Sequence, residues 1–256
     1  MGLLEKLIKF VYPYDEEYSV KHHDREITLV KNTRADYREV TFNRFIYSRI
    51  MGKTLFTHSY WDFFIPAAYI YDDPRILMIG LGGGTVPYQL DRLLGNKVNM
   101  DVSEIDKDMV DIARKFYPGL RANISVSDGS EFVMGKKNEY DAIFLDAYKD
   151  LDIPEQFMKE EFVFDAHRAL KHDGILCINF AQTVVKAGQL HSYAKKLSEF
   201  FKVYFINVSI MADNTIIVCS KSLDKERIIR SIRANMPRMK DNDHLFSAYE
   251  RMSQFR

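Results

Sequence analysis

Four glycines and three acids carry the chemistry for which this sequence can be read. Gly80, Gly82, Gly83 and Gly84 follow the apolar run Ile76-Leu77-Met78-Ile79, with Leu81 between the first two. Glu104, Asp128 and Asp146 each close a stretch that reads as a strand: Asn99 to Val102 running on to Glu104 and Asp106, Ile124 to Ser127, and Tyr140 to Leu145. Glycines after a strand let backbone approach a ligand, and a carboxylate at the next strand end can accept hydrogen bonds from ribose hydroxyls. A dinucleotide fingerprint needs glycine at its first, third and sixth positions. Here those positions are Gly80, Gly82 and Thr85, so the sixth fails. Three acids in register on the ligand-binding edge of an α/β sheet point instead to S-adenosylmethionine (AdoMet) or a close relative. Each acid also has a plain structural alternative: a solvated turn for Glu104 and Asp128, a helix cap or loop anchor for Asp146.

These groups need a sheet to hold them. The run Ile76 to Ile79 lacks polar alternation, as expected of a strand buried on both faces. Val86 to Leu94 reads as a helix with Pro87 in its first turn, where a missing N–H costs nothing. Asp108 to Phe116 places Met109, Ile112, Ala113 and Phe116 on one side, and Pro118-Gly119 stops it. Further helices are expected at Ser130 to Met134, Gln156 to Leu170 and Ala187 to Phe201, with a strand at Ile175 to Phe180. Val203 to Ile210 and Thr215 to Ser220 read as an antiparallel pair around Asp213-Asn214. The pattern predicts an α/β chain with a Rossmann-like, seven-stranded sheet and a reversed edge strand. The loop Ala147 to Pro154 leaves the sheet beside Asp146 and is the expected lid or acceptor-binding segment.

Before this unit, Ile27 to Val30, Val40 to Phe42 and Arg44 to Met51 are β-prone pieces between charged turns. His22 and His23 are adjacent, point to opposite faces of a strand and cannot chelate one metal. Ser59-Tyr60-Trp61-Asp62 reads as a capping box opening a helix through Phe63, Phe64, Ala67 and Ala68. Leu223 to Arg256 is charged and helical, with Ile228, Ile229 and Ile232 as its apolar stripe. The expected partition is therefore 1–72, an N-terminal helix and β-rich subdomain; 73–222, the nucleotide-binding unit; and 223–256, a helical extension.

The chain has 256 residues, 46% of them hydrophobic, which suits one large domain or a domain with appendages. Basic and acidic residues both total 36, so net charge offers no argument for nucleic acid or an anionic membrane. Cys177 and Cys219 lie in apolar runs and read as buried free thiols. At the N-terminus, Leu3, Leu4, Leu7, Ile8 and Val11 form a short amphipathic stretch, too short to span a bilayer and without a cleavage site. Lys6 stands where a myristoylation signal requires Ser or Thr. The expected location is cytoplasmic, with no metal-ligand spacing.

The segments MIGLGGGTVP, VSEID, VSDGSEFV and YDAIFLDAYKDLDIPEQFMKEEFVFDAHRALKHDGILCIN resemble the class I AdoMet fold, specifically its spermidine synthase (polyamine aminopropyltransferase) branch. The resemblance runs from about Glu39 to Ser220. Ile153-Pro154, Glu161-Phe162, Leu170, Gly174 and Asn179 are its most distinctive part. It implies that Gly80, Gly82, Gly83 and Gly84 pass along the cofactor tail, Glu104 takes the ribose, Asp128 takes the adenine amino group and Gly129 lies beside the ring. Asp146 falls on the family's proton-accepting acid, the first of D-x-x-D. Tyr60, Tyr148 and Asp150 are the candidates for holding the acceptor, with Trp61 and Tyr60 alternatively plain core aromatics. The family also has a small N-terminal sheet that supports a dimer contact, so a homodimer is expected.

Two departures bear on the reaction. The family's G-G-G-D-G turn carries an Asp that pairs with the ammonium of decarboxylated AdoMet; that position is Gly83. The second acid of D-x-x-D falls on Lys149, with Asp150 and Asp152 nearby on a differently spaced loop. These departures favour intact AdoMet and methyl transfer to a small-molecule acceptor. The alternatives are aminopropyl transfer from decarboxylated AdoMet to an amine, and a homologue that binds without catalysis.

Overall fold

A computed structural model describes residues 14–22, 25–42, 45–149, 152–181, 187–208 and 214–255. The amphipathic stretch Leu3 to Val11, His23, Asp150 and Asp213 lie outside the described residues.

Strands β1 (Tyr14–His22), β2 (Arg25–Asn32), β3 (Tyr37–Phe42) and β4 (Phe45–Met51) form an antiparallel sheet in sequence order. Alternation puts Ile27 and Leu29 of β2 on one face with Val40 of β3. That face packs on Met109 and Ile112 of the helix Lys107–Phe116, which seats the small sheet against the larger one.

The larger sheet contains β5 (Arg75–Ile79), β6 (Asn99–Glu104), β7 (Asn123–Val126), β8 (Tyr140–Leu145), β9 (Leu170–Ala181), β10 (Lys202–Asn207), β11 (Asn214–Ser220) and β12 (Ser253–Gln254), in the order β12-β10-β11-β9-β8-β5-β6-β7. β5 to β9 are parallel, and β11 runs antiparallel to both β9 and β10. Seven strands are therefore as expected, and the two-residue β12 adds an eighth beside Tyr204 and Phe205. The reversed strand is not at the edge. β10 leaves a gap one strand wide beside β9, and the returning β11 fills it in the opposite direction.

Both faces of this sheet are covered, which is why its strands read as unbroken apolar runs. Met78, Phe144, Cys177 and Ile216 face the segment Phe56 to Ile70 and the C-terminal helices Lys225–Asn235 and Asp243–Glu250. Leu77, Ile143, Ile178 and Ile217 face the helices Glu160–Ala169 and Ala187–Ser198. Cys177 and Cys219 are free and buried. In the terminal extension Ile228 and Ile232 are buried, as the stripe implied.

Two helical expectations change. The helix expected from Gln156 is a 3₁₀ turn, Glu155–Met158, an extended Lys159, and then Glu160–Ala169. Phe157 and Phe162 both enter the core with ring centroids 5.0 Å apart. In an unbroken helix, five residues of separation would turn them about 140° from each other. The capping box also fails. Ser59 makes no side-chain cap, and Asp62 instead accepts from Thr57 N (3.0 Å), Thr57 Oγ1 (2.8 Å), His58 N (2.7 Å) and Gln89 Nε2 (2.6 Å). The carboxylate thus ties the preceding loop to the helix Thr85–Leu94, and it is fully buried in doing so.

Candidate active site

The C-terminal ends of β5, β6, β7 and β8 bring the glycine turn and all three acids together. Gly80 leaves β5 with φ of +86°, a conformation that glycine adopts without steric cost. Its N–H donates to Ser103 O at 2.9 Å, and a Cβ there would run into the Asp146 carbonyl. The first glycine therefore packs directly against the backbone of the expected base. Gly82 and Gly84 continue the turn, and Gly84 directly precedes the helix Thr85–Leu94. Gly83 faces away, toward the small sheet. A Cβ on it would collide with Ser48 Cβ and lie 2.8 Å from Ser48 Oγ. Thr85, the failed sixth position of the fingerprint, fastens this contact: its hydroxyl lies 2.7 Å from Ser48 Oγ and accepts from Arg49 N at 3.0 Å.

Glu104 is buried at the end of β6. Its Oε2 accepts from Leu81 N at 2.7 Å and its Oε1 from Asp106 N at 2.9 Å. One carboxylate thereby holds both the glycine turn and the start of the next helix, and burial pushes its pKa up. The Gly82 backbone N–H also faces this carboxylate, which retains acceptor capacity for a further donor. Asp128 caps the helix Gly129–Val133, accepting from Ser130 N at 2.7 Å, and its other oxygen accepts from Gln156 Nε2 at 3.0 Å. Partial burial opposes its charge, but the bonds from Ser130 and Gln156 outweigh that and hold the carboxyl below its usual range. Gly129 is pressed on β5, where a Cβ would strike Ile79.

Asp146 stands between these groups and the wall carrying Tyr60. Its N–H donates to Ile79 O at 2.9 Å, and its Oδ1 accepts from Asn179 Nδ2 at 2.8 Å. Burial first, and the Glu104 charge second, raise its pKa to about 6 against the opposing Asn179 bond. The Tyr60 phenol is pushed up by burial and then by the neighbouring Asp146 carboxylate, which places these two side chains near each other. Trp61 is a core aromatic, 4% exposed, with its ring tilted against Tyr60 at a centroid distance of 4.6 Å. Tyr148 does not offer a free hydroxyl: it donates to Asn179 O at 2.6 Å and accepts from Ala181 N at 2.8 Å. Lys149 is exposed and bridges Asp152 through backbone alone. The same loop and the end of β9 line a cavity of about 680 Å³ whose walls include Lys149, Asp152, Glu155, Phe180 and Lys196.

Sequence reasoning missed several of these partners. Asn179 was legible as a polar residue closing the run Ile175 to Ile178, but its role was not. Gln156, Gln89 and Ser48 gave no signal, because each is defined by a contact between distant segments. Among the described residues no group of three or more His, Cys, Asp or Glu is placed to hold a metal, and no helix is long and apolar enough to cross a membrane.

Comparison with known proteins agrees with this architecture. Two polyamine aminopropyltransferases are similar in sequence: that of Vibrio vulnificus, 32% identical over 134 residues (50% of this chain, 44% of the relative), and that of Alkaliphilus oremlandii, 34% identical over 149 residues (54% and 52%). The chain spans about half the length of the curated relatives it matches. Among solved structures, spermidine synthase from Thermotoga maritima aligns with a TM-score of 0.70 at 19% identity, covering 91% of this chain and 83% of that one. A spermidine synthase in complex with the transition-state analogue AdoDATO aligns at 0.72 and 20% identity, covering 91% and 84%. Human methyltransferase-like protein 13 in complex with SAH shares the fold more distantly, at 0.58 and 20% identity over 73% of this chain and 97% of that one. The spermine/spermidine synthase domain model matches residues 44–231, from β4 through most of the helix Lys225–Asn235, and the chain belongs to that family.

Proposed function

We propose that the chain transfers an aminopropyl group from decarboxylated AdoMet to an amine acceptor. The observation that carries this reading is Asp146: its backbone packs on the first glycine of the turn, its carboxyl lies near Tyr60, and burial pushes that carboxyl up to about 6. The similarity to polyamine aminopropyltransferases supports it and displaces methyl transfer as the leading reading. The residues present fit a nucleoside: Glu104 has acceptor capacity left for a ribose hydroxyl, and Asp128, whose Oδ1 is taken by Ser130, can accept from the adenine amino group at the Oδ2 held by Gln156. The bound sulfonium supplies the positive charge and the leaving group. The protein's part is to align the acceptor, exclude water and take a proton. An alkylammonium acceptor must become a free amine before it attacks. Asp146 is ionised at neutral pH and takes that proton; the new N–C bond forms as the S–C bond breaks, and the thioether leaves.

A second reading keeps intact AdoMet, because no acid on the turn meets the ammonium and Ser48 occupies the space beside Gly83. Incubation with decarboxylated AdoMet and a panel of amines, read for methylthioadenosine and an aminopropylated product, separates the two. Methylthioadenosine formation is expected. Product only from intact AdoMet would promote methyl transfer, and absence of binding by either cofactor would leave a non-catalytic homologue.

A further inference from the structure

A line of amides enters Asp146 from across the sheet. β9 and β11 pair antiparallel with Asn179 opposite Ile216 and Asn214 opposite Ala181, so the two asparagines are diagonal neighbours. Asn214 Nδ2 donates to Asn179 Oδ1 at 2.8 Å, and Asn179 Nδ2 donates to Asp146 Oδ1 at 2.8 Å. Asn179 is 2% exposed, and the Tyr148 hydroxyl holds its carbonyl at 2.6 Å. A side-chain amide has one donor end and one acceptor end. Turned one way, Asn179 stabilises a carboxylate; turned the other, it sets oxygen against oxygen. Asp146 alone leaves that choice open whenever it is protonated, since a carboxylic acid can donate as well as accept. Asn214, with its N–H donating to the far end of the amide, biases that choice toward the orientation in which Asn179 donates to Asp146.

We propose that Asn214 is a positioning residue for the reaction: acting through Asn179, it fixes the direction of the hydrogen bond that holds the Asp146 carboxylate. This rests on the reading of Asp146 as the proton acceptor. Asn214 itself touches neither that carboxylate nor the nucleoside-facing acids, and it sits on the reversed strand, at its first residue. The device carries no charge, so it orients the base without adding a counter-ion that would compete with a cationic acceptor.

The test is a carboxyl ¹³C NMR titration of Asp146, assigned with Asp146→Asn, in the wild type, Asn214→Asp and Asn214→Ala. Asn214→Asp is isosteric and replaces the donor with an acceptor; Asn214→Ala only deletes atoms from a half-buried position and adds no charge. The expected result is an Asp146 midpoint raised by about half a pH unit to one unit in Asn214→Ala and by more in Asn214→Asp. The acidic limb of the pH–rate profile should move equally, with methylthioadenosine affinity unchanged. Folded variants with an unmoved midpoint overturn the proposal. A moved midpoint in a protein without aminopropyl transfer would leave the amide line standing and remove the proposed reaction instead.

Discussion

Ser48 on β4 fills the space that any side chain on Gly83 would need. Ser48 is fully buried, and its hydroxyl is engaged by Thr85 and lies 3.3 Å from the Tyr117 hydroxyl. The small N-terminal sheet therefore takes part in shaping the glycine turn, and the residue facing that sheet is the one where the family resemblance implies an acid. The absence of a side chain at Gly83 and the presence of Ser48 are one packing arrangement.

The Gly83→Asp variant is accordingly expected to lose about 1–3 kcal/mol of stability through overpacking against Ser48. Ser48→Gly combined with Gly83→Asp should recover part of that loss. Calorimetry with both cofactors on the double variant should show a preference for decarboxylated AdoMet of about two- to ten-fold, a through-space effect of an acid that points to the small sheet, attracts the ammonium and repels the carboxylate of intact AdoMet. Equal affinities in a folded double variant would mean that position 83 does not face the cofactor tail even when Ser48 is gone.

Glu104→Ala removes an acceptor from Leu81 N and, under the proposed function, from the ribose. It should weaken methylthioadenosine binding by roughly 1.5–3 kcal/mol, the range for a hydrogen bond to a charged group. Glu104→Gln, which keeps the shape, should lose less. A folded Glu104→Ala protein with wild-type affinity would take Glu104 out of the nucleoside site.

How far the sequence could be read depends on whether a feature is local. The β5 and β8 runs declared themselves as doubly buried strands, and an acid at the end of each following strand was enough to place Glu104, Asp128 and Asp146 on one edge. Asn214 was out of reach, because its meeting with Asn179 requires β11 to insert between β9 and β10. Ser48 was hidden for the same reason: nothing in β4 says that it will close on the glycine turn. The break at Lys159 was missed because Phe157 and Phe162 each suit a helix alone and conflict only when both must face the core.

Lys149 offers a test of the acceptor. Its side chain is exposed, and its bridge to Asp152 uses backbone only, so Lys149→Asp should leave the fold unchanged. If the proposed amine acceptor is a diamine whose second ammonium lies by this loop, replacing repulsion with attraction should lower its KM about two- to five-fold, a modest gain because solvent screens the pair. KM for a monoamine should not move. A shift common to both acceptors would show that Lys149 acts on general electrostatics, and not on the distal amine.

Asp146→Asn separates chemistry from stability, with opposite signs. Turnover should fall on the order of 10²-fold or more while methylthioadenosine affinity stays nearly intact, since a positioned base is lost and the nucleoside contacts are not. In the wild type, the rate should rise with pH through about 6 as Asp146 ionises. Stability runs the other way. The folded pKa near 6 lies above the unfolded value of about 3.9, so the folded state binds this proton more tightly. That contribution is fully present below about pH 4 and is lost as pH rises to 6 and beyond, where the fold must carry a half-buried carboxylate. Asn mimics the neutral form and can still accept from Asn179. Asp146→Asn should therefore match the wild type near pH 4 and exceed it by on the order of 2–3 kcal/mol at pH 8, measured by denaturant unfolding at both values. A variant less stable than wild type at pH 8 would mean that the Asn179 bond to the charged form outweighs its burial, and that Asp146 is a structural ion held in place, not a base raised toward neutrality.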